Sequence, residues 1–241
     1  MNATHMHYEV LRTVRNRRLL FFTLALPLVL YLAVGSANRN VHTEGVLFPL
    51  YFMTGMAAYG AMFATVSPGA RIAADRSKGW HRQARITPLQ ASTELVSKVV
   101  SAYLMVLPTL ALLYLAGTAL GVRLSPAQWL EMTGLLLVGL APFVVMGFIL
   151  GYVVPIDSMP LAMGGLVVLF ALFGGAWGRF FNGGPVLTAV KLLPSYWAVQ
   201  AGKAVVGSGS WPLEGWLVVL GWTALLVPLA ALAYRRSTSR A

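Results

Sequence analysis

Charged side chains punctuate this chain at long intervals. Six stretches, residues 19–38, 45–70, 99–122, 132–156, 158–178 and 215–234, contain no Asp, Glu, Lys or Arg, and they are 20, 26, 24, 25, 21 and 20 residues long. About 20 mostly apolar residues in a helix cross the roughly 30 Å hydrocarbon core of a bilayer. A water-soluble domain of this size would bring charge to its surface every few residues. The pattern therefore predicts an all-α integral membrane protein with six transmembrane helices, at about 19–38, 46–66, 99–120, 132–154, 160–178 and 215–234, in one domain over residues 1–241. The apolar runs are continuous, whereas barrel strands alternate polar and apolar positions over roughly ten residues, so helices satisfy the backbone in lipid and a barrel does not fit.

Hydrophobic residues make up 58% and charged residues 10% of the chain, which leaves little for a soluble domain. There is no cysteine, which excludes disulfides and thiolate metal sites. The net charge of +11 would suggest nucleic acid in a soluble protein, but here the basic residues flank the apolar runs and face the membrane surface instead. With both termini inside, 13 Lys and Arg fall on inner segments and 5 on outer ones, so both termini and the loop at 67–98 are assigned to the cytoplasm. Trp129, Trp177, Trp211 and Trp216 fall at the predicted outer ends, where indole rings favour the headgroup layer. A cleaved signal peptide over 19–38, with small residues at Gly35 and Ser36, is the competing reading of the first run and leaves the other five oriented the same way. Arg outnumbers Lys 14 to 4 and Ala and Gly are abundant, which points to a GC-rich bacterial genome.

Before the first run, Met6, Val10, Leu11 and Val14 recur at helical spacing with Arg12 and Arg15 on other faces. Two readings stay open there, an amphipathic interfacial helix over 6–18 or an ordinary basic flank. In the second run Phe52, Met56, Tyr59 and Phe63 form one helical stripe, with small residues such as Gly55 and Ala58 opposite, where a neighbouring helix can approach closely. The stripe is either a path for an apolar cargo or a lipid-facing or packing surface. Pro108, Pro142 and Pro228 are candidate kinks, and Asp157 or Ser158 is a candidate cap for the fifth span. The segment 179–214 holds two 11-residue apolar pieces, 180–190 and 192–202, too short to span. They are expected to form two short helices of a re-entrant outer segment, opened at Asn182 and at Pro194.

Most of the candidate chemistry lies in the cytoplasmic loop 67–98. Arg71 and Asp75 are four residues apart on a short basic helix, Gly79 interrupts it, and Arg82 and Arg85 follow. Thr87 then caps a second helix with Pro88 at its first position and Gln90 at the capping-box position, and that helix runs through Glu94 and Lys98 into the third span.

Asp75 and Arg76, then Gly79, Arg85 and the Thr87-Pro88-Leu89 step resemble the loop pattern of the ABC-2 type permeases, which usually carry Glu where this chain has Asp75. The length, six runs, basic N-terminal segment and interrupted segment before the last run resemble the same family. The resemblance implies the non-catalytic membrane subunit of an ATP-driven exporter, in which two permease subunits pair with two cytosolic ATPase subunits. It implies that Arg71, Asp75, Arg76, Gly79, Arg82, Arg85, Thr87 and Pro88 couple to the ATPase, that residues 6–18 form an interfacial gate helix, and that the cargo is a drug, antibiotic, peptide or lipid-like molecule. ATP and magnesium would then belong to the partner chain, with no cofactor in this one.

The residues themselves agree with borrowed energy. No G-x-x-x-x-G-K-[ST] occurs, and the six runs contain no ionisable residue of the kind that ion-coupled carriers use. No His lies in a run, since His5, His7, His42 and His81 are spread over both sides, which leaves an intramembrane enzyme without a catalytic set. A channel, or a membrane transport or assembly protein without ATP coupling, is the alternative. Its filter would use carbonyls near Asn182 to Pro185.

Overall fold

The computed structural model describes residues 21–43, 45–77, 91–178, 183–207 and 209–239. A π-helical turn, Phe21–Ala25, leads into α1 (Leu26–Ala37). Pro27 explains the irregular start: it has no N–H for the carbonyl of Thr23, four residues earlier. A two-residue hairpin, β1 (His42–Thr43) with β2 (Val46–Leu47), turns at Gly45 into α2 (Phe48–Val66). Then follow α3 (Pro68–Ser77), α4 (Ala91–Ala119), α5 (Pro126–Gly139), α6 (Ala141–Val153) and α7 (Met159–Gly174). Three short helices, α8 (Gly184–Lys191), α9 (Pro194–Val199) and α10 (Ala201–Gly207), precede the last, α11 (Leu213–Ser239).

Among the described residues, four helical stretches are long and apolar enough to cross a membrane: Val96–Ala119, Pro126–Val153, Ile156–Gly174 and Leu213–Ser237. The first run contributes a shorter apolar helix, Thr23–Ala37. The second run contributes α2, in which every residue from Pro49 to Val66 is buried. It is the axis of the bundle. Along it lie α1 and α4, with α6, α7, α9 and α10 completing the surround. Outside this core α11 rests on α6 and exposes Leu217, Leu220, Leu225, Leu229 and Leu232, as a lipid-facing helix does.

Small residues set how closely the helices approach α2. A Cβ added to Gly60 would come 2.6 Å from the Thr23 carbonyl oxygen and 2.9 Å from Thr109 Cγ2, so α4 and the π-helical turn before α1 both reach the α2 backbone at this one residue. At Gly55 the obstruction would be the backbone of Ala176. Close approach of this kind is how helices associate in lipid, where tails are as apolar as leucine and burial alone supplies little drive.

Several boundaries depart from the expected ones for local reasons. The fourth span starts at Pro126, six residues before the charge-free run, because Ser125 and Gln128 form a reciprocal capping box and Glu131 sits exposed on the first turns. Of the three prolines, Pro142 coincides with a break, at Leu140 between α5 and α6, while Pro108 and Pro228 lie inside continuous helices. The fifth span ends at Gly174: Gly175, at φ +80°, reverses the chain and sends 175–177 against α2. Neither Asp157 nor Ser158 caps it by a side chain. Ser158 is itself in a helical conformation, and the entry is a 3₁₀ turn, Ile156–Ser158. The outer segment holds three short helices instead of two, since a further break falls at Gln200. Two of the four tryptophans expected as interfacial anchors turn inward. Trp211 is buried, and Trp177 packs on Tyr59 with ring centroids 5.3 Å apart.

Among the described residues, Tyr114 and Thr133 share a hydroxyl–hydroxyl bond between α4 and α5 at 3.1 Å, and six further side chains donate from one element to a backbone carbonyl at or near the end of another helix. Tyr51 donates to Gly175 O, Tyr103 to Leu137 O, Gln128 to Val205 O, Trp197 to Lys191 O, Trp222 to Leu192 O and Arg76 to Val154 O, over 2.7 to 3.2 Å. The last carbonyls of a helix have no partner within it, so these bonds supply one.

Glycine substitutions test this packing. Gly151→Ala, whose Cβ would lie 2.6 Å from Gly69 O, is expected to lower the thermal midpoint of the purified protein by the equivalent of about 1–3 kcal/mol. Gly164→Ala, which meets nothing within 4 Å, should leave it unchanged or raise it by up to about 1 kcal/mol through helix propensity. Equal midpoints for the two variants would contradict the glycine-contact account.

Candidate functional site

At the C-terminal end of α2 the chain bends at Ser67 rather than leaving the bundle. Ser67 N–H still donates to Phe63 O at 3.1 Å, and its hydroxyl donates to Ala64 O at 2.8 Å. After this bend α3 runs beside α6 in parallel. Gly147 faces Val66, Gly151 faces Gly69 and Ile72, and Arg76 reaches Val154. Gly147 and Gly151 form a G-x-x-x-G pair, and both backbones approach so closely that a Cβ on either would fall within 2.8 Å of its neighbour. Ile72 and Ala73 are buried in this seam.

Of the residues proposed to couple to an ATPase, Arg71, Asp75 and Arg76 lie on α3 and are half-buried. The Arg76 guanidinium donates to Val154 O at 2.8 Å, the carbonyl that closes α6, where the helix dipole also favours a cation. Gly79, Arg82, Arg85, Thr87 and Pro88 lie outside the described residues, as does the segment 6–18. Beyond them α4 runs unbroken from Ala91 through Lys98 to Ala119, so the second half of the loop enters the bundle as one helix.

The stripe of Phe52, Met56, Tyr59 and Phe63 is buried, none of the four being more than 7% exposed. In this state it faces protein, not lipid. Phe52 stacks between Phe48 and Tyr31 at 5.4 and 6.4 Å, and Tyr59 packs against Phe63 at 5.4 Å as well as against Trp177. Met56 is fully enclosed.

Four buried polar atoms around this axis have no hydrogen-bond partner among the described residues: Tyr31 Oη, Thr109 Oγ1, Trp177 Nε1 and Ser195 Oγ. Each is next to a close contact already named or to another small residue, with Thr109 at Gly60, Trp177 at Tyr59, Tyr31 at Gly117 and Ser195 at Gly174. An unpaired polar group in a dry interior costs about 1–3 kcal/mol, so each atom of this ring of four is a place where a polar partner would stabilise the packing. The sequence reading missed this ring because Tyr, Thr, Trp and Ser carry no charge and do not interrupt a run. It also missed Lys98, which stands one residue outside the third run and is buried at the inner end of α4. No group of three or more His, Cys, Asp or Glu among the described residues is placed to hold a metal ion.

With this geometry in view, the chain is similar to the Bacillus subtilis (strain 168) protein named "Putative transport permease YvfS", at 25% identity over 233 residues that cover 95% of this chain and 94% of that one. The likeness runs nearly end to end and is to a transport permease. No family profile and no solved structure matches the chain. Because the alignment runs nearly end to end, α3 and the short helices α8 to α10 lie in a chain of about the relative's length.

The aromatic stripe gives a direct test of packing in the core. Tyr59→Ala removes contacts with Phe63 and Trp177 and is expected to cost about 3–5 kcal/mol of stability, read as a large loss of thermal midpoint and of monodisperse protein. Tyr59→Phe keeps both ring contacts and should behave as the parent protein.

Proposed function

We propose that this chain is the membrane-spanning subunit of an ATP-driven exporter in a bacterial cytoplasmic membrane. It crosses the bilayer six times, with α1 and α2 completing the four longer helices and both termini in the cytoplasm. Two copies pair with two cytosolic ATPase subunits, which dock on the loop 71–88. The single observation that carries this reading is the full-length similarity to a transport permease, in a chain whose six runs hold no ionisable group. A subunit without an internal coupling charge and without a P-loop takes its energy from another chain.

Alternating access needs a core with two arrangements, and the ring of unpaired polar atoms around α2 supports one here. When the helices part, Tyr31, Thr109, Trp177 and Ser195 gain water or cargo as partners. The Phe52, Met56, Tyr59 and Phe63 stripe then lines the opening. Such a path, apolar with a few hydroxyl and indole donors, suits a hydrophobic or amphiphilic molecule: a drug, an antibiotic, a peptide or a lipid-like compound. The re-entrant reading of the outer segment is supported by Gly202, which packs against Thr54, about 9 Å along α2 from its first residue at 1.5 Å per residue. The helices α9 and α10 thus reach down beside α2 and would have to move for cargo to leave outward.

The competing reading is transport without ATP. Its one supporting observation is Lys98, the single charged side chain buried among the described residues.

Co-expression with the products of neighbouring genes decides between these readings. The exporter is expected to co-purify with an ATP-hydrolysing chain and to move an apolar fluorescent probe in vesicles only when ATP is supplied. Asp75→Lys should leave the bundle folded but reduce ATP-dependent uptake about tenfold or more. Pumping by this chain alone, abolished by Lys98→Met, would overturn the exporter reading. Orientation is read independently, because the chain has no cysteine. Single cysteines at Ser77 and Asp157 should react with an impermeant maleimide only from the inner side, and those at Arg39 and Arg123 only from the outer side.

A further inference from the structure

We infer that Arg76 is a positioning residue that clamps α3 to the inner end of α6, so that a displacement of α3 is delivered to α6 and α11. The decisive contact is the 2.8 Å hydrogen bond from the Arg76 guanidinium to the Val154 carbonyl. That carbonyl belongs to the residue closing α6, whose own N–H already bonds Leu150 O and whose backbone has turned extended. It is an unfilled acceptor at a negative helix end, and a guanidinium matches it in both charge and donor geometry.

The glycine seam behind this bond makes the clamp stiff. Gly69, Gly147 and Gly151 bring the two backbones into contact, and Ile72, fully packed, belongs to the same cluster as Val144, Phe148 and Tyr152 of α6. Neighbours in direct backbone contact cannot slide without a clash, so α3 and α6 move as one body. The same cluster reaches α11: Tyr152 and Tyr234 meet edge to face at 5.5 Å, and Ala233 packs beside them.

The loop therefore has two outputs. Its far half continues into α4, as the chain path alone requires. Its near half, α3, is bonded sideways to α6 and through it to α11, which are remote in sequence. A guanidinium committed to Val154 points the α3 end toward α6, and Arg76 thus acts inside the permease. That α3 receives a push at all rests on the exporter reading above, whereas the clamp itself does not.

The test uses the full chain alone, reconstituted in phosphatidylethanolamine–phosphatidylglycerol nanodiscs, so its failure is separable from a failure to recruit an ATPase. Spin labels at Ser77→Cys on α3 and Val153→Cys on α6 report the clamp. Labels at Leu115→Cys and Leu130→Cys, exposed on the outer parts of α4 and α5, serve as the control. With Arg76 present the Ser77–Val153 distance distribution should be narrow. Arg76→Ala should at least double its width, Arg76→Lys should recover most of the narrowing, and the outer pair should not change. If Arg76→Ala does not yield folded protein, Arg76→Gln keeps a donor without the charge and is expected to give an intermediate width. An unchanged Ser77–Val153 distribution in Arg76→Ala, or equal broadening of both pairs, would overturn the clamp.

Discussion

Backbone-to-backbone contact at glycine is the constraint from which the rest of this architecture follows. In water a helix bundle gains by hiding apolar side chains. In lipid that gain nearly vanishes, and helices hold together through close packing and the few polar contacts they can make. Gly55 and Gly60 on α2 and Gly147 and Gly151 on α6 remove side chains where neighbouring backbones come nearest. The consequence is an inversion of hydropathy. The helix α2, rich in Gly, Ala, Thr and Tyr and not among the four apolar enough to span, is the most enclosed, whereas the leucine-rich α11 lies outside.

Polar satisfaction supplies the second constraint. Each place where a helix breaks or ends inside the bundle leaves carbonyls without donors, and the chain meets them with side chains from other elements. Tyrosine does so at Gly175 and Leu137, tryptophan at Lys191 and Leu192, glutamine at Val205 and arginine at Val154. These bonds tie the short outer helices and the inner helix α3 to the frame. The four unpaired polar atoms around α2 are the counterpart, since they mark the faces where this arrangement leaves polar groups unmet. The two sets of groups are distinct: cross-element bonds at the helix ends, and unpartnered polar atoms around the buried axis.

Much of the candidate site was legible along the chain. A short basic helix ending near Gly79 and a second helix continuing through Lys98 could be read from charge and spacing, and the described parts, α3 and α4, have that form. What α3 touches could not be read. Arg76 bonds a backbone carbonyl 78 residues away, and carbonyls have no sequence signature. The G-x-x-x-G pair at 147 and 151 is visible as a string, but its partner, Gly69, is identified only by the fold. The interfacial assignment of Trp177 and Trp211 failed for a similar reason. A tryptophan beside a span end can turn toward headgroups or toward the bundle, and nearby aromatic rings such as Tyr59 and Trp216 offered the second choice.

By itself the sequence determined the apolar, helical character of the chain: four of the charge-poor runs coincide, among the described residues, with helices long and apolar enough to cross a membrane. It also carries the asymmetry of basic residues on which the proposed orientation rests. Only the tertiary structure decided which helix is the axis, which tryptophans turn inward, that the outer segment makes three helices, and that α3 is bound to α6. Hydropathy measures transfer from water to lipid, and a residue facing lipid and a residue facing a neighbouring helix make that transfer alike. The choice between them rests on shape, on the absence of a Cβ at a few crossings, and on which carbonyl happens to need a donor.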